Sequence, residues 1–188
     1  MQPIQLLEQE HRAIERVLET LDQYADAQSG SSTPATQRDL LQFVEFIQQF
    51  ADRIHHGKEE DILFEQMVRA GFPTDSGPLA VMYLEHDKGR GFAQKLKSLG
   101  EKDSPWSQAD REHLKKVANG YTTLLRQHIY KEDNILYPMA QTQLGSQGMD
   151  QIADAFAKFE SNEERNGEKK RLLSMADSLA ERYATPGA

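Results

Sequence analysis

Three features of the sequence predict an all-α fold, an antiparallel up-down four-helix bundle with an additional C-terminal helical appendix. Apolar residues recur at the three- and four-residue spacing of a helix face through most of the chain. No segment alternates with period two between turn residues, and Gly, Pro and Ser clusters cut the helical pattern into long pieces.

The first helix follows from Ile4, Leu7, Ile14, Val17, Leu18 and Leu21, and Ser29-Gly-Ser-Ser-Thr-Pro34 ends the pattern. The second starts near Pro34, a residue suited to a first helical turn, and runs through Leu40, Phe43, Ile47, Phe50 and Ile54 to about Val68, where Ala70-Gly-Phe-Pro73 stops it. Asp75-Ser-Gly-Pro78 opens a third helix that ends near Gly100. Ser104-Pro105 opens a fourth, with Ser107 and Asp110 spaced as a capping box, and it reaches about Ala140. Beyond Gly145 and Gly148, Ile152, Phe156 and Phe159 share one face, and Leu172, Ala176, Leu179 and Tyr183 another. This divides the chain into a bundle over residues 1–142 and an appendix of two shorter helices over residues 143–188. The apolar faces of the appendix predict packing on the bundle and a homodimer contact.

Composition narrows the chemistry. The 188 residues are 38% apolar, which suits one well-buried core. No apolar run approaches the roughly 20 residues that cross a bilayer, and MQPIQLLEQEHR lacks the regions of a signal peptide. A cytoplasmic protein is expected. The net charge of −8, with scattered Lys and Arg, argues against nucleic acid and anionic membranes as partners. With no cysteine, any metal must be held by nitrogen and oxygen donors.

An internal repeat locates those donors. Shifted by 73 residues, RIHHGKEEDILF (53–64) falls on RQHIYKEDNILY (126–137), with six of twelve positions identical. His55 and Glu59 match His128 and Glu132, each pair one turn apart and so on one helix face. His56 matches Ile129 and lies about 100° round an α-helix, so it is expected to flank the site. At an offset of 75, Glu10-His11 falls on Glu85-His86. The halves are expected to be related by a pseudo-twofold axis that brings four imidazoles and two carboxylates into one cavity, a dinuclear ligand set. Two buried glutamates cost several kcal/mol each without a compensating charge, and a cation supplies it. Glu15 and Arg90 are expected to pair across the bundle mouth, Tyr83 to pack in the core or donate a hydrogen bond to the site, and His113 to lie on the surface.

His11, His55-x-x-x-Glu59, Glu85-His86-Asp87 and His128-x-x-x-Glu132 resemble, in order and spacing, the hemerythrin-like HHE cation-binding family. HHGKEEDILF, GPLAVMYLEHD and HIYKEDNILYPM are similar to its di-iron proteins of nitric-oxide stress and iron-centre repair. The resemblance implies two iron ions with an oxo, hydroxo or water bridge, His11, His55, His86 and His128 as terminal ligands, and Glu59 and Glu132 as bridges. Oxygen-carrying hemerythrins have a second histidine four residues after the third-helix ligand. Here Arg90 stands there, so their five-histidine set is absent and reversible oxygen carriage is not implied.

Three functions fit these residues. A redox-active centre would bind, sense or reduce O2, NO or peroxide; an iron-holding or iron-sensing module would use the same ligands without turnover. A metal-free helical adaptor presenting residues 149–184 leaves the repeated ligand pairs unexplained.

Overall fold

The computed structural model describes residues 2–28, 34–161 and 163–183. Helix α1 (Pro3–Ala27) begins with Pro at its first position, where a missing N–H costs nothing. The break expected at Ser29 to Thr33 lies outside the described residues. Helix α2 spans 34–69 without interruption but is not α-helical throughout: Phe46–His56 and Glu59–Phe64 are π-helical. Helix α3 (Gly77–Gly100) has Pro78 in its first turn and extended Ser76 before it.

Helix α4 covers 108–144 and carries a π-helical segment, Glu132–Leu136. It starts three residues after the predicted Ser104-Pro105 because the carbonyls there bond elsewhere: Gln37 donates to those of Lys102 and Ser104, and Arg111 to that of Trp106. Ser107 is the cap, forming the expected capping box with Asp110. At Gly145 the backbone turns to φ 61°, ψ −171°, a left-handed excursion that glycine makes without a Cβ penalty. This breaks α4 from α5 (146–160), and α6 (Glu163–Tyr183) follows.

Helices α1 to α4 form the bundle, and α6 lies along the seam between α1 and α2. Each fully buried apolar side chain, such as Leu7 or Phe50, contributes about 1.5–3 kcal/mol. These side chains gather in two clusters, one around Leu18, Phe43, Phe50 and Tyr121, the other around Leu7, Leu63, Phe64 and Leu136. On every bundle helix the histidines and glutamates picked out by the repeat fall between the two. Helix α5 buries Ile152 and Phe156 in the second cluster, and α6 buries Leu172, Ala176 and Leu179 in the first. The apolar faces on which a homodimer contact was expected are therefore covered within the chain. No helix among the described residues is long and apolar enough to cross a membrane.

Candidate metal centre

His11, His55, His86, His128, Glu59 and Glu132 are each no more than 1% exposed and converge on one polar layer. The π-helical segments 59–64 and 132–136 begin at the two repeat-matched glutamates, so the repeat extends to the backbone. The Nε2 atoms point at the carboxylates. His11 lies 3.2 Å and His128 3.0 Å from Glu132, while His55 lies 3.7 Å and His86 3.5 Å from Glu59.

What holds the rings is a closed ring of carboxylates. Each Nδ1 faces an acidic side chain of the preceding helix: His55 meets Glu10 of α1 at 3.0 Å, His86 meets Glu60 of α2 at 2.5 Å, and His128 meets Glu85 of α3 at 2.9 Å. His11 closes the circuit on Asp133 of α4 at 2.6 Å. A hydrogen bond at Nδ1 fixes the tautomer and turns the Nε2 lone pair inward, the arrangement that accompanies metal-bound histidines. Every one of these carboxylates is in turn paired with a cation. Lys58 and Lys169 hold Glu10, Arg90 holds Glu60, Lys131 holds Glu85 and Arg12 holds Asp133. Both Lys58 and Lys169 also reach Glu160, so α5 and α6 contribute directly to the surroundings of His55.

The geometry obeys the pseudo-twofold relation, since Glu10–His55–Lys58 and Glu85–His128–Lys131 are repeat mates making the same contacts. Two places break it. The first is His56, whose ring is buried and stacked on His86 with centroids 3.8 Å apart, its Nδ1 3.4 Å from Asp52. It does not flank the site as expected. Its mate Ile129 is also buried, beside His128 in an α-helical segment, so this position faces the interior in both halves, and here it carries an imidazole in place of an isoleucine. The second is Tyr137, mate of Phe64, which is fully buried, donates to Glu59 Oε1 at 2.6 Å and lies 3.3 Å from His11 Nε2.

Other expectations change. Arg90 pairs with Asp52, Glu60 and Asp87 on its own side, whereas Glu15 pairs with Arg12, so the expected Glu15–Arg90 pair does not form. Tyr83 packs edge-on against Phe64 at the margin of the second cluster, the packing role expected for it. His113 is exposed, as expected.

The electrostatics show what the layer lacks. Burial and the neighbouring Glu132 push Glu59 up to about 8. Burial would raise Glu132 too, but His128, His11 and His86 hold it well below the usual carboxylate range. Against the effect of burial, the bond to Asp133 and the nearby carboxylate of Glu132 lift His11 to about 9, and Glu132 and Glu85 lift His128 to about 10. Burial and His11 bring His55 down to about 4, and burial with the imidazoles of His86, His55 and His128 lowers His56. Protons thus supply the positive charge that two buried carboxylates demand. Even so, the imidazole contacts of Glu132 are not directed as hydrogen bonds, and His55 Nε2, Glu59 Oε2 and both oxygens of Glu132 have no hydrogen-bond partner among the described residues. Buried polar atoms are rarely left so, and bound cations would satisfy them. Two groups have donor atoms close enough to share an ion: His11, His55, Glu59 and Glu132, and His56, Glu59, His86 and His128.

Fold and site together define a helical-bundle protein whose interior carries histidine and glutamate clusters able to bind metal. Residues 2–140 match the model of the hemerythrin HHE cation-binding domain, and the chain belongs to that family. It is 34% identical over 86 residues to a probable iron-sulfur cluster repair protein of Haemophilus influenzae, covering 45% of this chain and 39% of that one. It is 35% identical over 88 residues to the iron-sulfur cluster repair protein YtfE of Yersinia pseudotuberculosis, covering 46% and 40%, and 32% identical over 89 residues to that of Salmonella schwarzengrund. The similarity therefore spans about two fifths of the length of these relatives.

Proposed function

We propose that this chain holds two iron ions and uses them, in the cytoplasm, to bind, sense or reduce a small molecule such as O2, NO or peroxide. His11 and His55 would serve one ion, His86 and His128 the other, with Glu59 and Glu132 shared between them. The observation that carries the reading is the set of buried, unpartnered donor atoms at the centre of four histidines whose other nitrogens are fixed. Bound iron would supply a redox-active Lewis acid. The protein's share is to orient the imidazoles through the carboxylate ring, to exclude water with two apolar clusters, and to hold a proton on Tyr137 beside Glu59.

A second reading is favoured by the relatives' names: an iron-holding module that supplies or senses iron for cluster repair, without turnover. Metal analysis with an optical spectrum tests what both readings share, expecting two irons per chain. Mixing the reduced protein with O2, NO and peroxide separates them. Repeated turnover supports the first, whereas slow oxidation with iron release supports the second.

A further inference from the structure

The two halves of the bundle differ most along one seam. Where α4 meets α1, the four facing positions are Leu125, Ile129, Ile14 and Leu18, all buried in the core. Their repeat mates, where α2 meets α3, are Asp52, His56, Gly89 and Ala93. Two large apolar residues on one helix are thus replaced by glycine and alanine, and two on the other by a polar pair one turn apart. The consequence is a cavity of about 180 Å3, with Gly89, Ala93 and Tyr121 on its walls and His56 and His86 at its inner end. It has room for about six waters, at roughly 30 Å3 each.

We propose that this seam is the entry route and holding site for an uncharged diatomic molecule of the O2 or NO kind, which reaches the centre on the His56 and His86 side only. The assignment rests on the di-iron reading for what lies at the inner end; the cavity itself does not. Three features suit such a ligand. A cavity of this size takes a small molecule, up to about the size of benzene, and a diatomic fits with room to spare. Ile47, Gly89, Ala93 and Tyr121 supply apolar wall, with Gln48, Asp52, Arg90 and Gln94 lining the remainder beside the two histidines. At the mouth Arg90 is met by three carboxylates, Asp52 at 2.8 Å, Glu60 at 2.8 Å and Asp87 at 3.0 Å, so the rim carries net negative charge and repels anions. In this setting His56 forms the last wall before His86 and separates the incoming molecule from that imidazole's face.

The test restores the filled seam: Gly89→Ile with Ala93→Leu, copying Ile14 and Leu18. A Cβ at Gly89 meets Leu125 and Tyr121 at 3.7 and 3.8 Å, ordinary contact distances, so the first added carbon fits and the rest enters the cavity. The single variant Ala93→Leu is made in parallel in case the double variant does not fold. Xenon pressurisation of crystals reads the cavity without reference to metal, and the wild type should show a xenon atom beside Gly89 that the variants lose. Stopped-flow mixing of the reduced, iron-loaded protein with NO should show association slowed about tenfold or more, with metal content and spectrum unchanged. An unchanged NO rate in a fully loaded, folded variant overturns the route, and absence of xenon from the wild-type seam overturns the holding site. Should the wild type take up no iron at all, the di-iron reading fails, and the xenon result alone then supports or overturns the seam.

Discussion

Lys58 and Lys131 are repeat mates with different surroundings, and removing each charge should have very different effects. Lys58 is fully buried and bonds to Glu10, itself 3% exposed, whereas the Lys131 and Glu85 side chains are 31% and 13% exposed. In Lys58→Met the methionine fills much of the lysine stem's volume, but Glu10 loses one of its two lysines and stays desolvated. Breaking a buried pair costs about 3–5 kcal/mol, and since Lys169 still reaches Glu10 the lower end, about 3 kcal/mol, applies. Lys131→Met leaves Glu85 with access to water and should cost about 1 kcal/mol or less. Thermal unfolding of the chelator-treated proteins should show a drop of about 6–12 °C for the first and up to about 4 °C for the second, at about 2–4 °C per kcal/mol for a chain of this size. Equal losses, or a Lys58→Met protein within 1 kcal/mol of wild type, would refute the argument that burial sets the weight of these pairs.

The remaining predictions concern the centre. Tyr137→Phe copies Phe64, so packing should survive while Glu59 loses a donor; unfolding should show about 1 kcal/mol lost, and the iron spectrum should shift. His55→Ala and His128→Ala should each remove most bound iron by elemental analysis, whereas His56→Ala should keep both ions, since its repeat mate is Ile129. Metal affinity should climb with pH from about 7 and flatten near 10, because His11 and His128 give up protons at about 9 and about 10 before binding a cation; titrations in buffers of different ionisation heat would count the protons released. The same raised values stabilise the metal-free fold fully below the unfolded histidine value of about 6.5 and are lost as pH rises through them. Ionisation of Glu59 near 8 acts in the same direction, so the chelated protein should melt progressively lower toward pH 10 while the loaded protein should not. Lys169→Met should weaken iron retention without unfolding the bundle, a result the appendix gives only if it acts on Glu10.

The helices and the buried His-x-x-x-Glu pairs were legible because both express short-range periodicity. Ile4 to Leu21 and Leu40 to Ile54 carry their faces openly, and duplication singled out His55, Glu59, His128 and Glu132. His56 was illegible because an offset of about 100° does not take a residue out of a bundle whose helices bury a face at least that wide, as its buried mate Ile129 shows. Glu10, Glu60, Glu85 and Asp133 stood in the repeat all along, but their roles depend on which helix neighbours which, a tertiary fact. Tyr137 was hidden by its likeness to Phe64, since aromatic packing is shared and only the hydroxyl differs.

The carboxylate circuit also says something about how such a chain can arise. Two of its four links, Glu10 to His55 and Glu85 to His128, stay within a half, and the other two, Glu60 to His86 and Asp133 to His11, cross between halves. A two-helix hairpin bearing one set of these residues therefore contains everything needed to close the circuit against a copy of itself. In such a pair every position is forced to serve twice. Joining the copies in one chain lifts that constraint, and the halves are then free to differ where difference is useful: a tyrosine hydroxyl on one side, an open seam on the other.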